Sequence, residues 1–199
     1  MNRLSTVLLF LLLGIQFSFA QSPTANQSEN IRPFIAYEFG EAAFNKFQSL
    51  SGEIGIRFPN DHMLRLTHMN VQFTEGHLSS DFAVVVKGED VEGSFFGFEA
   101  FYDLPVFWKG FYISPSLGYY RNDYKHLVLE ESLEKRSFTL GAAISYRETN
   151  IFGVKGLYYT LSLPMRTHAN PIKRTNLGDT IIMGNSFDSN IWFFVGYEF

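Results

Sequence analysis

No cysteine occurs in the 199 residues, so neither a disulfide framework nor a thiolate metal site can hold this chain together. Backbone pairing and packing must do that instead. Basic charge is also in short supply: the formal net charge is −4, which makes nucleic acid a poor partner. Beyond residue 20 no apolar run approaches the ~18 residues that a membrane-spanning helix requires. What the chain has in abundance is aromatic side chains, 22 Phe and 10 Tyr among them, yet mean hydropathy is only −0.03. The apolar residues must therefore alternate with polar ones.

The first twenty residues read as an export signal: basic Met1-Asn2-Arg3, an apolar core over 7–15, and the small residues Ser18 and Ala20 before the expected cut. Gln21 stands where a lipoprotein would carry cysteine. Cleavage leaves 179 residues with net charge −5, because Arg3 is the only charge removed. Residues 21–30 are polar and aperiodic, as expected of a flexible leader. The barrel described next is expected to occupy 31–199.

Period two dominates from there on. Eight segments alternate apolar with polar or small residues, over about 31–40, 49–58, 62–73, 94–103, 110–121, 136–147, 156–166 and 191–199. The last is the most telling: Ile191, Phe193, Val195, Tyr197 and Phe199 share one face of a strand, against Trp192, Phe194, Gly196 and Glu198. A soluble protein must bury such a face under a second layer, whereas an outer-membrane barrel leaves it to lipid. In the third segment apolar character passes from Leu64 and Leu66 to Met69, Val71 and Phe73, which predicts a bulge near His68.

Connections between segments alternate long and short: 41–48, 59–61, 74–93, 104–109, 122–135, 148–155 and 167–188. Barrels with both termini in the periplasm sort their loops in this way, and a sandwich has no reason to. The predicted fold is all-β, an eight-stranded antiparallel up-and-down transmembrane β-barrel. Phe82–Val86 inside the third connection is strand-like, predicting that the hairpin around it protrudes, although a separate strand there is the alternative.

These segments, the loop order and the aromatic terminus resemble the small eight-stranded outer-membrane barrels of Gram-negative bacteria, the OmpA/OmpX type. The resemblance covers 31–199 and implies an exported, monomeric outer-membrane protein surrounded by lipid and lipopolysaccharide. It further implies that Ile191, Val195, Tyr197 and Phe199 form the signal read by the outer-membrane assembly machinery. No peptidoglycan-binding domain is expected.

With the apolar parity turned to lipid, the charges within strands fall on the other parity: Glu38, Glu53, Arg57, Arg65, Glu99, Arg147, Arg166 and Glu198. Eight strands enclose only enough space for side chains, so acid–arginine pairing is expected in a filled lumen. Aromatics should mark the membrane interfaces: Phe107, Trp108 and Tyr112 at one, Tyr119 and Tyr120 at the other, and Tyr197 and Phe199 at the end.

No cofactor, metal or catalytic site is expected. His62 and His68 lie ~20 Å apart along a strand and cannot share an ion, while His77, with Glu75 and Asp81, is at most a weak loop chelator. His126 and His168 are placed in loops, where Ser79, Ser80 or Ser132 beside a histidine would be the trace of a lipid-modifying enzyme, the third reading. The acidic connections 74–93 and 122–135 read as solvated surface, with divalent cations bridging to lipopolysaccharide as the sharper role. The first functional reading is a surface structural or interaction protein acting through long outer loops, which are also the place for an extracellular ligand. The second is a narrow small-solute or ion channel.

Overall fold

The computed structural model describes residues 30–44, 47, 49–74, 78, 85–86, 90–183 and 185–199. The expected signal peptide and residues 21–29 of the expected leader lie outside them. Among the described residues are twelve strands: β1 (Arg32–Glu38), β2 (Gly52–Arg57), β3 (Met63–Gln72), β4 (Val85–Val86), β5 (Val91–Pro105), β6 (Phe111–His126), β7 (Ser132–Thr149), β8 (Leu157–Ile172), β9 (Thr175–Leu177), β10 (Thr180–Ile182), β11 (Asn185–Ser189) and β12 (Trp192–Glu198).

Antiparallel pairing runs β1–β2–β3–β5–β6–β7–β8–β12 and returns to β1 through Ile35↔Tyr197. The sheet is thus a closed eight-stranded barrel, which leaves no edge along the ring. The eighth stave is broken in two: β11 pairs with the far part of β8 (Phe187↔Thr167), and β12 takes over from Trp192↔Ser162. Three tight connections, 58–62, 106–110 and 150–156, lie at one end of the barrel together with Arg32 and Glu198, here called the turn end. Gly110 has φ +82°, and a side chain there would strike Arg147 O, so this turn requires glycine.

The barrel is apolar outside and polar inside. Ile54, Ile113, Ile144 and Leu161 are each about half exposed, while Glu53, Arg65 and Arg166 are buried. On β7 the outward face is apolar from Tyr146 to Phe138, eight steps that span about 27 Å of strand. Strand tilt reduces this to a belt on the order of 20–25 Å tall, the hydrophobic height of an outer-membrane barrel. Outward rings gather at its two rims, with Tyr102, Trp108, Phe111, Tyr146 and Tyr197 below and Phe98, Tyr119 and Phe138 above.

Several expectations are corrected. β3 carries no bulge, since its register with β5 is unbroken from Met63↔Asp103 to Gln72↔Ser94. Met69 and Val71 simply point inward, where the upper lumen is apolar. The 41–48 connection opens with a short helix, α1 (Phe39–Phe44). Val85 and Val86 do not extend the β3–β5 hairpin; they join β10 and β9 in a separate three-stranded sheet. Most of 122–135 is strand: β6 and β7 stay paired out to Lys125↔Ser132, and only 127–131 remain as loop. Apart from Tyr124 and Leu133, which pack under the strands above, both faces of the hairpin are polar there, so periodicity gave little sign of it. Tyr112 and Tyr120 are not interfacial, because both are buried in the lumen.

Candidate functional site

Parity sends one long side chain from nearly every strand into the lumen, and there they assemble around arginines. Near the turn end, Glu198 accepts from Arg147 Nη2 at 2.8 Å and pairs with Arg32 at 2.7 Å and Arg57 at 3.5 Å. Arg57 also donates to the Tyr112 hydroxyl at 3.2 Å. The Arg147 guanidinium carbon lies 3.4 Å from the centre of the Tyr158 ring and 4.4 Å from that of Phe34.

One layer deeper, Arg65 holds Asp103 through two hydrogen bonds, Nε to Oδ2 at 2.6 Å and Nη2 to Oδ1 at 3.0 Å. Its Nη1 donates to Glu53 Oε2 at 2.8 Å, and its guanidinium stacks on Phe101. Such a bidentate fork matches both oxygens of the carboxylate in geometry and in charge. Asp103 escaped the sequence reading although it shares the parity of Glu99.

The upper layer centres on Arg166 from β8. Its Nη1 donates to Tyr120 Oη at 2.8 Å and to Glu99 Oε2 at 3.3 Å, and its Nη2 to Asn190 Oδ1 at 2.8 Å. Tyr120 donates to Glu99 as well, and Ser116 Oγ completes that carboxylate at 2.6 Å. Arg166 Nε lies 2.8 Å from Asp188 Oδ1. Inward-facing Gly97 makes room for this cluster, since a Cβ there would come within 2.2 Å of the Tyr120 ring.

Asp188 continues into a second chain of contacts. Its Oδ2 lies 2.8 Å from His168 Nε2, and His168 Nδ1 lies 2.6 Å from Ser137 Oγ. His168 is therefore buried in β8 and His126 is buried as the last residue of β6, which corrects the placement of both in loops. Their strands run farther out than periodicity indicated. Ser79, Ser80, Glu75, His77 and Asp81 lie outside the described residues, and Ser132 is exposed opposite Lys125.

Glu38 departs from the expected acid–arginine pairing. Its carboxylate accepts from the backbone N–H of Gly40 (3.1 Å), Glu41 (2.7 Å) and Phe193 (3.1 Å), anchoring the start of α1 to β12. Ile191, Tyr197 and Phe199 are exposed on the outer wall, and Val195 is half-buried beside them. Among the described residues no group of three or more acidic or histidine side chains is placed to hold a metal ion. A groove of about 640 Å³ lies on the apolar exterior beside Ile35, Tyr37, Leu50, Ile54, His68 and Val195, so it belongs to the lipid-type surface.

Above the belt, β4, β9 and β10 form a cap over one side of the barrel. Leu177 and Ile182 pack on Val91 and Tyr124. His126 ties the loop after β6 to this cap: its Nδ1 accepts from the N–H of Val128 and Leu129, both at 3.3 Å, which assigns the proton to Nε2, 3.0 Å from Asp179 Oδ1. That hydrogen bond holds the Asp179 carboxyl below its ordinary value of 3.8. A depressed carboxylate stabilises the contact above the unfolded-state value and gives that up as pH falls through the folded one. Protection of the amides at 127–131, measured against their intrinsic exchange rates at each pH, should therefore fall on acidification below about pH 4 in the native chain. In Asp179→Asn it should already be low at neutral pH; equal protection in both proteins at pH 7 would refute the tie.

No family model matches the chain, and no curated protein matches it. Three solved chains do, two of them as follows. The N-terminal β-barrel domain of Pseudomonas aeruginosa OprF shares 15% identity at a TM-score of 0.41, over 87% of this chain and 100% of that one. Ail, the attachment invasion locus protein of Yersinia pestis, shares 12% identity at a TM-score of 0.43, over 85% of this chain and 96% of that one. The likeness is one of fold. Its function has to be argued from the barrel's own surfaces.

Proposed function

We propose that this chain is an integral protein of a Gram-negative outer membrane, a monomer with its turn end in the periplasm and its cap outside. It serves as a structural and interaction protein whose working surface is the cap. The observation that carries this reading is the inverted distribution of polarity, an ionic interior within an apolar belt whose height suits a bilayer. Lipid and lipopolysaccharide would surround the belt, and the outward row Ile191, Val195, Tyr197 and Phe199 would be read by the assembly machinery.

Folded protein from outer-membrane fractions should migrate differently on gels before and after boiling, and planar bilayers containing it should show no large, stable conductance. Recovery only in the soluble periplasmic fraction would overturn the membrane reading. A narrow channel is the second reading, favoured by four buried hydroxyls without a partner among the described residues, on Thr67, Ser114, Thr139 and Thr160, which are places where the lumen could hold water. Steady unitary currents from pure protein would establish that reading in place of the filled lumen.

A further inference from the structure

Ser137, His168 and Asp188 come from three neighbouring strands, β7, β8 and β11, and meet in an arrangement that none of the structural roles above requires. Asp188 ion-pairs with Arg166 through one oxygen and faces His168 Nε2 through the other. A carboxylate in that position keeps the ring proton on Nε2 and leaves the Nδ1 lone pair directed at Ser137 Oγ, 2.6 Å away. The alternative acceptor for that hydroxyl, Phe138 O, is farther at 3.3 Å. A serine, an imidazole base and an orienting carboxylate are thus in hydrogen-bond sequence.

The backbone ladder beside this group is interrupted. Register pairing between β7 and β8 ends at Thr139↔His168, although β7 extends back to Ser132 and β8 on to Ile172. Beyond that point a side chain of β8 takes up the backbone groups of β7. Asn170 Oδ1 accepts from Phe138 N at 2.9 Å, and Asn170 Nδ2 donates to Arg136 O at 2.7 Å, so the amide bonds the residues on either side of Ser137. Asn170 is exposed, whereas Ser137 behind it is 1% exposed. Phe138 marks the outer rim of the apolar belt, so on the membrane reading this seam lies where acyl chains meet their polar linkages.

We propose that Ser137 and His168 form an acyl-transfer centre for ester-linked acyl chains of membrane lipid, with Asn170 as a latch over its lateral entrance. Ser137 Oγ adds to the ester carbonyl carbon as its proton passes to His168 Nδ1. The carbon–oxygen bond to the lipid alcohol then breaks, and that proton leaves with the alcohol. Water repeats the sequence on acyl-Ser137 and releases the free acid. Asp188 is a positioning residue, acting only through the ring it orients, and Arg166 holds Asp188 in turn.

The inference rests on the membrane reading, and heat-modifiable migration of protein folded into vesicles tests that reading separately. The full chain in vesicles is treated with an alkyl fluorophosphonate and mapped by mass spectrometry. One adduct at Ser137 is expected, absent in Ser137→Ala and slowed about 100-fold in His168→Ala. Asn170→Ala should react about tenfold faster than the native chain, as release of a latch worth a hydrogen bond or two would allow. Asp188→Asn should lose labelling that Asp188→Glu restores, a rescue that a purely structural role would not produce. Vesicles of phosphatidylethanolamine and dispersions of lipopolysaccharide then identify the acyl source by the fatty acid each releases. Absence of an adduct in heat-modifiable native protein and in Asn170→Ala alike would overturn the proposal, as would an adduct that survives in His168→Ala at the native rate. Labelling without fatty acid from either lipid would overturn the substrate class.

Discussion

Arg65→Leu is expected to be the most damaging single substitution in the barrel, costing about 3–5 kcal/mol because it leaves buried charge without its counter-charge. The guanidinium is the shared partner of Glu53 and Asp103, all three of them buried, and among the described residues no other arginine is within pairing distance of those two carboxylates. Each lost hydrogen bond adds the desolvation of the acceptor left behind. The measurement is the urea midpoint of the heat-modifiable form in detergent or vesicles. Neutralising the carboxylates in the same chain, with Glu53→Gln and Asp103→Asn added to Arg65→Leu, should restore most of the loss. A triple variant as unstable as the single one would show that shape at Arg65, and not charge, sets the cost.

Ile144→Arg is expected to cost about 2–4 kcal/mol in a bilayer, the penalty for a cation on the lipid face near the midplane of a barrel. Ile144 is 51% exposed on β7 and lies between Tyr146 and Phe138 near the middle of the belt. In a water-soluble barrel the same change would be close to neutral, since half-exposed surface positions tolerate charge. Comparison with Glu134→Arg, above the belt on the same face, supplies the control: both should fold in vesicles, but only Ile144→Arg should lose urea resistance. Equal stability of the two would remove the belt from the argument for a membrane.

The outer face was legible in the sequence along most of the ring, because one rule governs it. The rule failed on β3, where His68 and Asn70 take the outward positions and Met69 and Val71 turn inward. Lipid asks only for apolar character every second residue, and β1, β2, β5 to β8 and β12 all supply it. The interior obeys more than one rule. Parity placed Glu53, Arg65, Glu99, Arg147 and Arg166 inward, but it could not show that each buried arginine would also stack on a ring, such as Phe101, Tyr158 or Trp192. Nor could it distinguish Glu38, whose partners are backbone amides, from the carboxylates that meet arginine. Asp188 and His168 were hidden by a different cause. They lie where strands continue past the belt, both faces become polar, and the alternation that identifies a strand is gone.

The wall of the barrel is uneven: β5 to β8 run 15, 16, 18 and 16 residues, against 7, 6, 10 and 7 for β1, β2, β3 and β12. The tall side carries the apolar cluster of Val91, Tyr124, Leu177 and Ile182, apart from the cluster inside the lumen, with Phe73 touching both. Two apolar clusters therefore share one chain, and hydrogen exchange is expected to find the upper one opening before the lower. On the proposed orientation, substitutions that refit the cap to whatever it meets carry little risk to the ring below, so a changeable end and a constant cylinder are compatible in the same molecule.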